Sequence, residues 1–467
     1  MSAPVKGSKK KPAKQGLSRE LGLGSASILV IANMIGTGVF TTTGFIMAEL
    51  HNPAAMLSCW LVGGLFALSG ALCYGELGAM FPRAGGEYVF LRQSMGELMG
   101  FLSGWISLIV GFSAPIAATA IAFSRYFFRA VPQGLTGGPD SPLFGGQYVC
   151  VSPVCLLAVG VITLFTVLHC FSISLGSSVQ NALTLFKIAV IVVFIVAGWS
   201  YGSGSLEHFS SSFDSSASLS GPFAVSLIFI SFAYSGWNAA AYLGAEIKDP
   251  LRNLPRSLVL GTGVVIVLYM LLNMTFIYAL PAHKMSGVLE VGAQSAIVLF
   301  GSRVGMLFSG AISLCLLSVI SAMIMVGPRV YYAMARDGLF FRFIGVVSPR
   351  HHVPVYAVAV QGFIAVCIAV TSSFDVLLMY IGFTLALFAM LSVCGMVLLR
   401  IKSPQAKRPI KTFLYPVTPV FFVLGNAWII FYSITSRPVV CLYGLGTIAA
   451  GVVVYLLFSK NRKEGAR

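Results

Sequence analysis

The chain has 467 residues, 57% of them hydrophobic and only 9% charged, whereas about a quarter of the residues of a soluble protein are charged. So few charges cannot cover a globule of this size, and a soluble enzyme, a disulfide scaffold and a disordered chain are all excluded. The net charge of +16, from 30 Lys+Arg against 14 Asp+Glu, lies between apolar blocks. It therefore reads as a topology signal, and no nucleic-acid partner is expected.

The chain opens on a Lys-rich tail, Met1 to Gln15, with no cleavage pattern after it, so residues 1–20 are expected to form a cytosolic tail. Twelve apolar blocks follow, at 21–50, 54–82, 95–131, 148–170, 177–201, 221–246, 256–281, 303–335, 353–372, 374–400, 412–435 and 437–459. Each is long enough to cross the ~30 Å hydrocarbon core as a helix, and none has the short alternating pattern of a membrane barrel strand. With the N-terminus inside, twelve crossings place Lys6, Lys9, Lys10, Lys11, Lys14, Arg19 and most other basic residues on the cytosolic side. Only Arg125, Arg129, Lys284, Arg303 and Arg437 fall outside. That asymmetry predicts a multi-pass protein of the plasma membrane, or of the inner membrane in a prokaryote, with both termini cytosolic and a short cytosolic tail at 460–467.

Blocks one to five (21–201) and six to ten (221–400) have matching lengths, and the third block of each set is unusually long. An odd number of crossings per set forces the two halves into opposite orientations, which is the inverted repeat of many secondary transporters. Helices eleven and twelve, 412–459, stand outside the repeat.

Each half opens on a Gly-interrupted block: Asn33-Met34-Ile35-Gly36-Thr37-Gly38-Val39-Phe40 in the first and Phe232-Ala233-Tyr234-Ser235-Gly236-Trp237-Asn238 in the second. Glycine weakens a helix, and unwinding at Gly36 and Gly38 frees N–H groups suited to a carboxylate. Carbonyls freed near Asn33 and Met34, with those of Phe232, Ala233 and Ser235, suit an ammonium. Together the two breaks read the two ends of an α-amino acid. The alternative for Gly-Thr-Gly is a small-residue packing face between helices.

These two segments, the run EIKDPLRNLP from Glu246 to Pro255 and the run GPRVYYAMARDGLF from Gly327 to Phe340, resemble the amino acid–polyamine–organocation superfamily. In style they are closest to the L-type amino-acid transporters and their bacterial relatives. The resemblance covers roughly residues 20–460. It implies an all-α membrane protein of twelve helices: a leucine-transporter-type pair of inverted five-helix repeats plus two helices, with helices 1 and 6 unwound at mid-membrane. It implies that Gly36, Thr37 and Gly38 hold the substrate carboxylate, that Phe232, Ser235 and Trp237 contact or gate the substrate, and that Asn238 lines the nearby polar network. It also implies that Lys187 lies beside the unwound first helix, where related carriers hold sodium. A buried lysine there either replaces that cation or carries a proton during transport.

Animal L-type transporters join a heavy chain through an external cysteine, for which Cys150 is the nearest candidate here. The one N-x-S/T sequon, Asn273-Met274-Thr275, falls inside a block, so a single-chain carrier without an obligatory heavy chain is expected. None of the nine cysteines forms a C-x-x-C pair and no H-E-x-x-H is present, so neither metal nor cofactor is expected. Glu76 and Glu246 lie near cytosolic block ends and are read as partners of Arg or Lys, and Arg329 as a structural anchor. Most aromatic residues are expected at the lipid face or the interface.

No acid lies mid-block near either glycine break in the sequence. That disfavours a cationic substrate such as arginine, lysine or a polyamine, because a buried cation needs a carboxylate. The expected function is secondary-active transport of a neutral L-amino acid by exchange or proton-linked symport, with the lipid bilayer as its surroundings. A cationic amino-acid or polyamine carrier of the same fold is the alternative; a channel, a receptor and an integral-membrane enzyme are the alternatives of other classes.

Overall fold

The computed structural model describes residues 19, 21–83, 85–131, 144–146, 149–171, 174–210, 221–348 and 353–464. The Lys-rich tail before residue 19, residues 211–220 and the side chain of Cys150 lie outside the described residues. Apart from a hairpin pairing β1 (Phe144–Gly146) with β2 (Val149–Val151), the described regular structure is helical. Among the described residues nine helices are long and apolar enough to cross a membrane, or ten if one bent pair counts as a single span.

That bent pair is the first predicted block, which divides into α1 (Leu23–Met34) and α2 (Gly38–Leu50) at an angle of 42°. Next comes α3 (Pro53–Met80), started by Asn52, whose side chain accepts from the amides of Ala54 and Ala55 at 2.9 and 3.0 Å. A side-chain acceptor there satisfies amides that no helix can satisfy for itself. A short helix α4 (Glu87–Met95), which no apolar block announced, leads into α5 (Glu97–Ile106) and α6 (Ala114–Ala130). A π-helical segment, Ser107–Ser113, joins α5 to α6 into one 34-residue span. Pro115 has no N–H for the preceding turn, and Ser113 Oγ donates to the Leu108 carbonyl at 2.7 Å.

The first half ends with α7 (Pro153–Phe171) and α8 (Ser174–Tyr201). The sixth block also breaks, into α9 (Gly221–Ala233) and the single turn α10 (Ala239–Tyr242). Then α11 (Pro250–Ala279) starts earlier than its apolar block, because Pro250 is tolerated in a first turn; Pro255 packs against Gly75 of α3. Two short helices, α12 (Ala282–Met285) and α13 (Val291–Phe300), precede α14 (Ser302–Val326) and α15 (Pro328–Arg336). The chain closes with α16 (Val355–Thr371), α17 (Phe374–Lys402), α18 (Val417–Ser436) and α19 (Pro438–Glu464).

The α5–α6 span lies at the centre, with 89% of its most apolar window buried, against 28% for α7 and 22% for α19. Around it α1 and α3 pack on α11, and α6 packs on α14. The peripheral helices present Leu164, Leu168, Leu442 and Leu457 outward, as suits a lipid-facing surface.

The aromatic residues divide: Phe171, Trp199, Tyr201, Phe363, Phe431 and Tyr443 are exposed, whereas others fill the interior. Trp60, Tyr74, Tyr126, Tyr234, Tyr269, Tyr331, Phe40, Phe101 and Phe276 are fully buried. Large rings fill interhelical gaps, and a buried tyrosine hydroxyl needs a polar partner. Tyr126 finds one by donating to the Phe40 carbonyl at 2.8 Å.

The acids near block ends pair as expected. Arg329 lies 3.3 Å from Glu246 and anchors it. Glu76 is completely buried, takes two hydrogen bonds from Arg400 and accepts from Thr412 through both its amide and its hydroxyl. Arg400→Ala leaves that carboxylate buried without its main cation, a loss on the order of 3–5 kcal/mol. The expected result is a clear drop in the thermal midpoint of the detergent-purified protein with no change in substrate preference; an unchanged midpoint sinks this assignment.

Candidate functional site

Both helix breaks come from local sequence and are held open by their neighbours. At the first, Ile35 still donates to the Ile31 carbonyl at 2.9 Å. Helical bonding then stops, and Phe40 and Thr41 donate to the Thr37 carbonyl as α2 begins. Carbonyls that would have accepted from the next turn are left over and find side-chain donors instead. Lys187 Nζ donates to the carbonyls of Ala32 at 2.8 Å and Ile35 at 2.6 Å, with its side chain only 1% exposed. Tyr269 directs its hydroxyl at the Met34 carbonyl, 2.5 Å away, and at the Ala233 carbonyl, 3.1 Å away. One side chain of α11 thus ties the ends of both broken helices.

The second break turns on Gly236, whose φ of +95° lies in the left-handed region that favours glycine. The two breaks also fit into one another. A Cβ on Gly38 would lie 2.3 Å from Ala233 Cα, and one on Gly236 would lie 2.7 Å from the Asn33 carbonyl oxygen. Each break therefore keeps a glycine where the other chain segment passes. Gly38 thus packs against the other break, as a small-residue face does, and the helix is interrupted beside it. Gly36 is different, since a Cβ there meets nothing nearer than 3.7 Å.

A cavity of about 110 Å³ lies against the second break. Its apolar wall includes Phe66, Phe112, Trp237, Leu385 and Phe422, and its polar groups include Asn33, Glu87, Ser107, Ser231, Ser235 and Asn238. Trp237 is wedged edge-on against Tyr74 at 4.6 Å and Phe422 at 6.2 Å. Of the residues read from the sequence, Asn33, Ser235, Gly236, Trp237 and Asn238 line this cavity. Met34, Gly36, Thr37, Gly38, Phe232 and Ala233 are buried at the joint between the breaks and are not among its lining residues.

The structure corrects one inference and adds a residue that the sequence concealed. No acid is near either break along the chain, but Glu87 of α4 is near in space. Its Oε1 accepts from Asn238 Nδ2 at 2.8 Å and from the Tyr74 hydroxyl at 2.8 Å. Glu87 sits in a segment too polar to count as a span, and only the packing of α4 beneath the second break brings it in. The pattern Gly85-Gly86-Glu87, with both glycines at positive φ, was the available signal.

A helical bundle in which two broken helices meet at their breaks, beside a small and mainly apolar cavity, is an architecture that many secondary transporters share. Residues 21–457 match the family model described as amino acid permease. Over 453 residues the chain is 29% identical to the b(0,+)-type amino acid transporter 1 of Mus musculus, covering 95% of this chain and 88% of that one. It is 28% identical over 457 residues to the Large neutral amino acids transporter small subunit 2 of Homo sapiens, covering 94% and 80%. The chain belongs to the amino acid permease family, within the amino acid–polyamine–organocation superfamily, and is a multi-pass membrane protein.

Proposed function

We propose that this chain is a secondary-active transporter of neutral L-amino acids that works by alternating access. The observation that carries the reading is the meeting of two broken helices at Gly38 and Gly236, beside a cavity bordered by Ser235, Trp237 and Asn238 of the second break. Gly36, Thr37 and Gly38 offer the first amides of α2 to the substrate carboxylate, helped by the helix dipole. Met34, Phe232, Ala233 and Ser235 offer carbonyls to the ammonium. Trp237 and Asn238 border the space for the side chain. Lys187 serves as a fixed cation in the joint, its two short bonds taking the place that a metal ion would otherwise fill. The transport step is the movement of one repeat against the other about this joint.

Twelve crossings follow if α9 with α10, and the 17-residue α16, each span beside the ten longer candidates. The repeats are then 21–201 and 221–400, with 412–459 outside them. The termini face the cytosol, and the plasma membrane or its prokaryotic counterpart is the site of action. The relative named above is called a small subunit; this chain is proposed to act without a heavy chain.

The preference for neutral side chains rests on the apolar part of the cavity wall. Glu87 favours a second reading, a cationic amino acid, should its carboxylate be ionised when the site is occupied. Competition against uptake of a labelled neutral amino acid into proteoliposomes separates the readings. Parent amino acids are expected to compete, and their amides and decarboxylated amines to fail by at least tenfold. Equal competition by the amines removes the carboxylate site; stronger competition by dibasic amino acids replaces the neutral reading with the cationic one.

A further inference from the structure

Glu87 is left over by the site as proposed. The residue is buried, 6% exposed, and Oε1 takes both of its hydrogen bonds, from two neutral donors on different elements, Tyr74 of α3 and Asn238 of the second break. Among the described residues no cation lies within ion-pair distance of it. This contrasts with Glu76, Glu246 and Glu290, each of which faces an arginine. Arg92, five residues further along α4, is occupied with Asp337 and Glu97. The other titratable groups around the carboxyl are the phenols of Tyr74 and Tyr242, with Ser392 of α17 behind Tyr74. None of these supplies positive charge.

A carboxylate buried without a cation is unfavourable, and burial shifts it towards its neutral, protonated form. Glu87 also lines the cavity, so its Oε2, which makes no hydrogen bond to a described residue, has only the contents of that cavity to solvate it. A neutral substrate that fills the space with an apolar side chain removes water from that oxygen. The ionised form then loses its remaining solvation, whereas the protonated form does not.

We propose that Glu87 is the proton-binding site of this carrier, and that a proton on Glu87 and a neutral amino acid in the cavity bind cooperatively. By linkage, whatever raises the affinity of one raises that of the other by the same factor. The proton enters with the substrate and is released when the emptied cavity rehydrates the carboxylate, which makes the transport proton-linked. A dibasic substrate would have the opposite sign, because its cationic end takes the proton's place. This inference rests on the proposed function and assigns its coupling ion to a particular side chain.

The test measures binding of labelled L-leucine and L-alanine to the full chain in lipid nanodiscs across the pH range, for wild type and Glu87→Gln. Glutamine keeps the volume and can accept from Asn238 and Tyr74, but it cannot ionise. Wild-type affinity is expected to fall as pH rises, approaching about tenfold per pH unit above the carboxyl's transition. Glu87→Gln is expected to hold the tight, low-pH affinity throughout. A flat wild-type profile, or an unaltered slope in Glu87→Gln, overturns the proposal while leaving amino-acid transport standing. If no amino acid binds either protein, the proposed function fails, and infrared difference spectra still decide Glu87: a carboxylic-acid C=O band at neutral pH that is absent from Glu87→Gln supports protonation. Identical spectra overturn it.

Discussion

Gly38→Ala is expected to abolish substrate binding, with an affinity loss of at least tenfold, and to lower the thermal midpoint of the protein. The added methyl would lie 2.3 Å from Ala233 Cα and 2.7 Å from Ala233 Cβ. Neither is the end of a flexible side chain, so the whole joint between α1–α2 and α9 must open. Overpacking of a well-packed core costs about 1–3 kcal/mol, and displacing backbone adds to it. Gly38→Val would be worse. Gly36→Ala is the matched control, because a Cβ there finds ordinary contact distances, the nearest being Val319 Cγ1 at 3.7 Å. Its expected effect on stability is small. Labelled-substrate binding and thermal unfolding on the same preparations check both. Should Gly38→Ala bind like wild type, the joint is elsewhere and the amides of Gly36 to Gly38 do not hold a carboxylate.

Lys187→Met is expected to reduce transport more than tenfold and to destabilise the protein. Methionine matches much of the lysine's length but donates nothing, so the carbonyls of Ala32 and Ile35 lose bonds of 2.8 and 2.6 Å. Each buried carbonyl left unsatisfied costs roughly 1–3 kcal/mol. The lysine itself stays put in wild type because both carbonyls point at it and its depth forbids snorkelling. With Glu87 proposed as the proton site, Lys187 is proposed as a structural cation, and the residual transport of Lys187→Met is expected to keep its pH slope. Proteoliposome uptake with and without an imposed pH gradient reads this directly. Wild-type rates in Lys187→Met would show that the break stands without the cation.

The sequence reached the joint through glycine. Gly36, Gly38 and Gly236 mark the breaks because a helix cannot absorb such residues mid-span without a reason, and Lys187 announced itself because an ammonium is conspicuous in an apolar block. It missed Glu87 because the argument about acids was made along the chain. A carboxylate between two spans looks like an ordinary cytosolic residue until α4 is seen to tuck under the second break. The buried tyrosines were missed for a related reason: composition cannot separate a ring that faces lipid from one that faces another helix.

What the sequence determined by itself was the membrane, the helical content, the two breaks and the family, since these depend on local hydropathy, on backbone freedom and on motifs within a few residues of one another. Only the tertiary structure decided which groups answer the broken backbone. Tyr269 joins the Met34 and Ala233 carbonyls, and Lys187 reaches Ala32 and Ile35, across separations of 36 to 235 residues. Such pairings are set by how helices pack, and within a bilayer every polar group released by a break must find its partner somewhere in that packing.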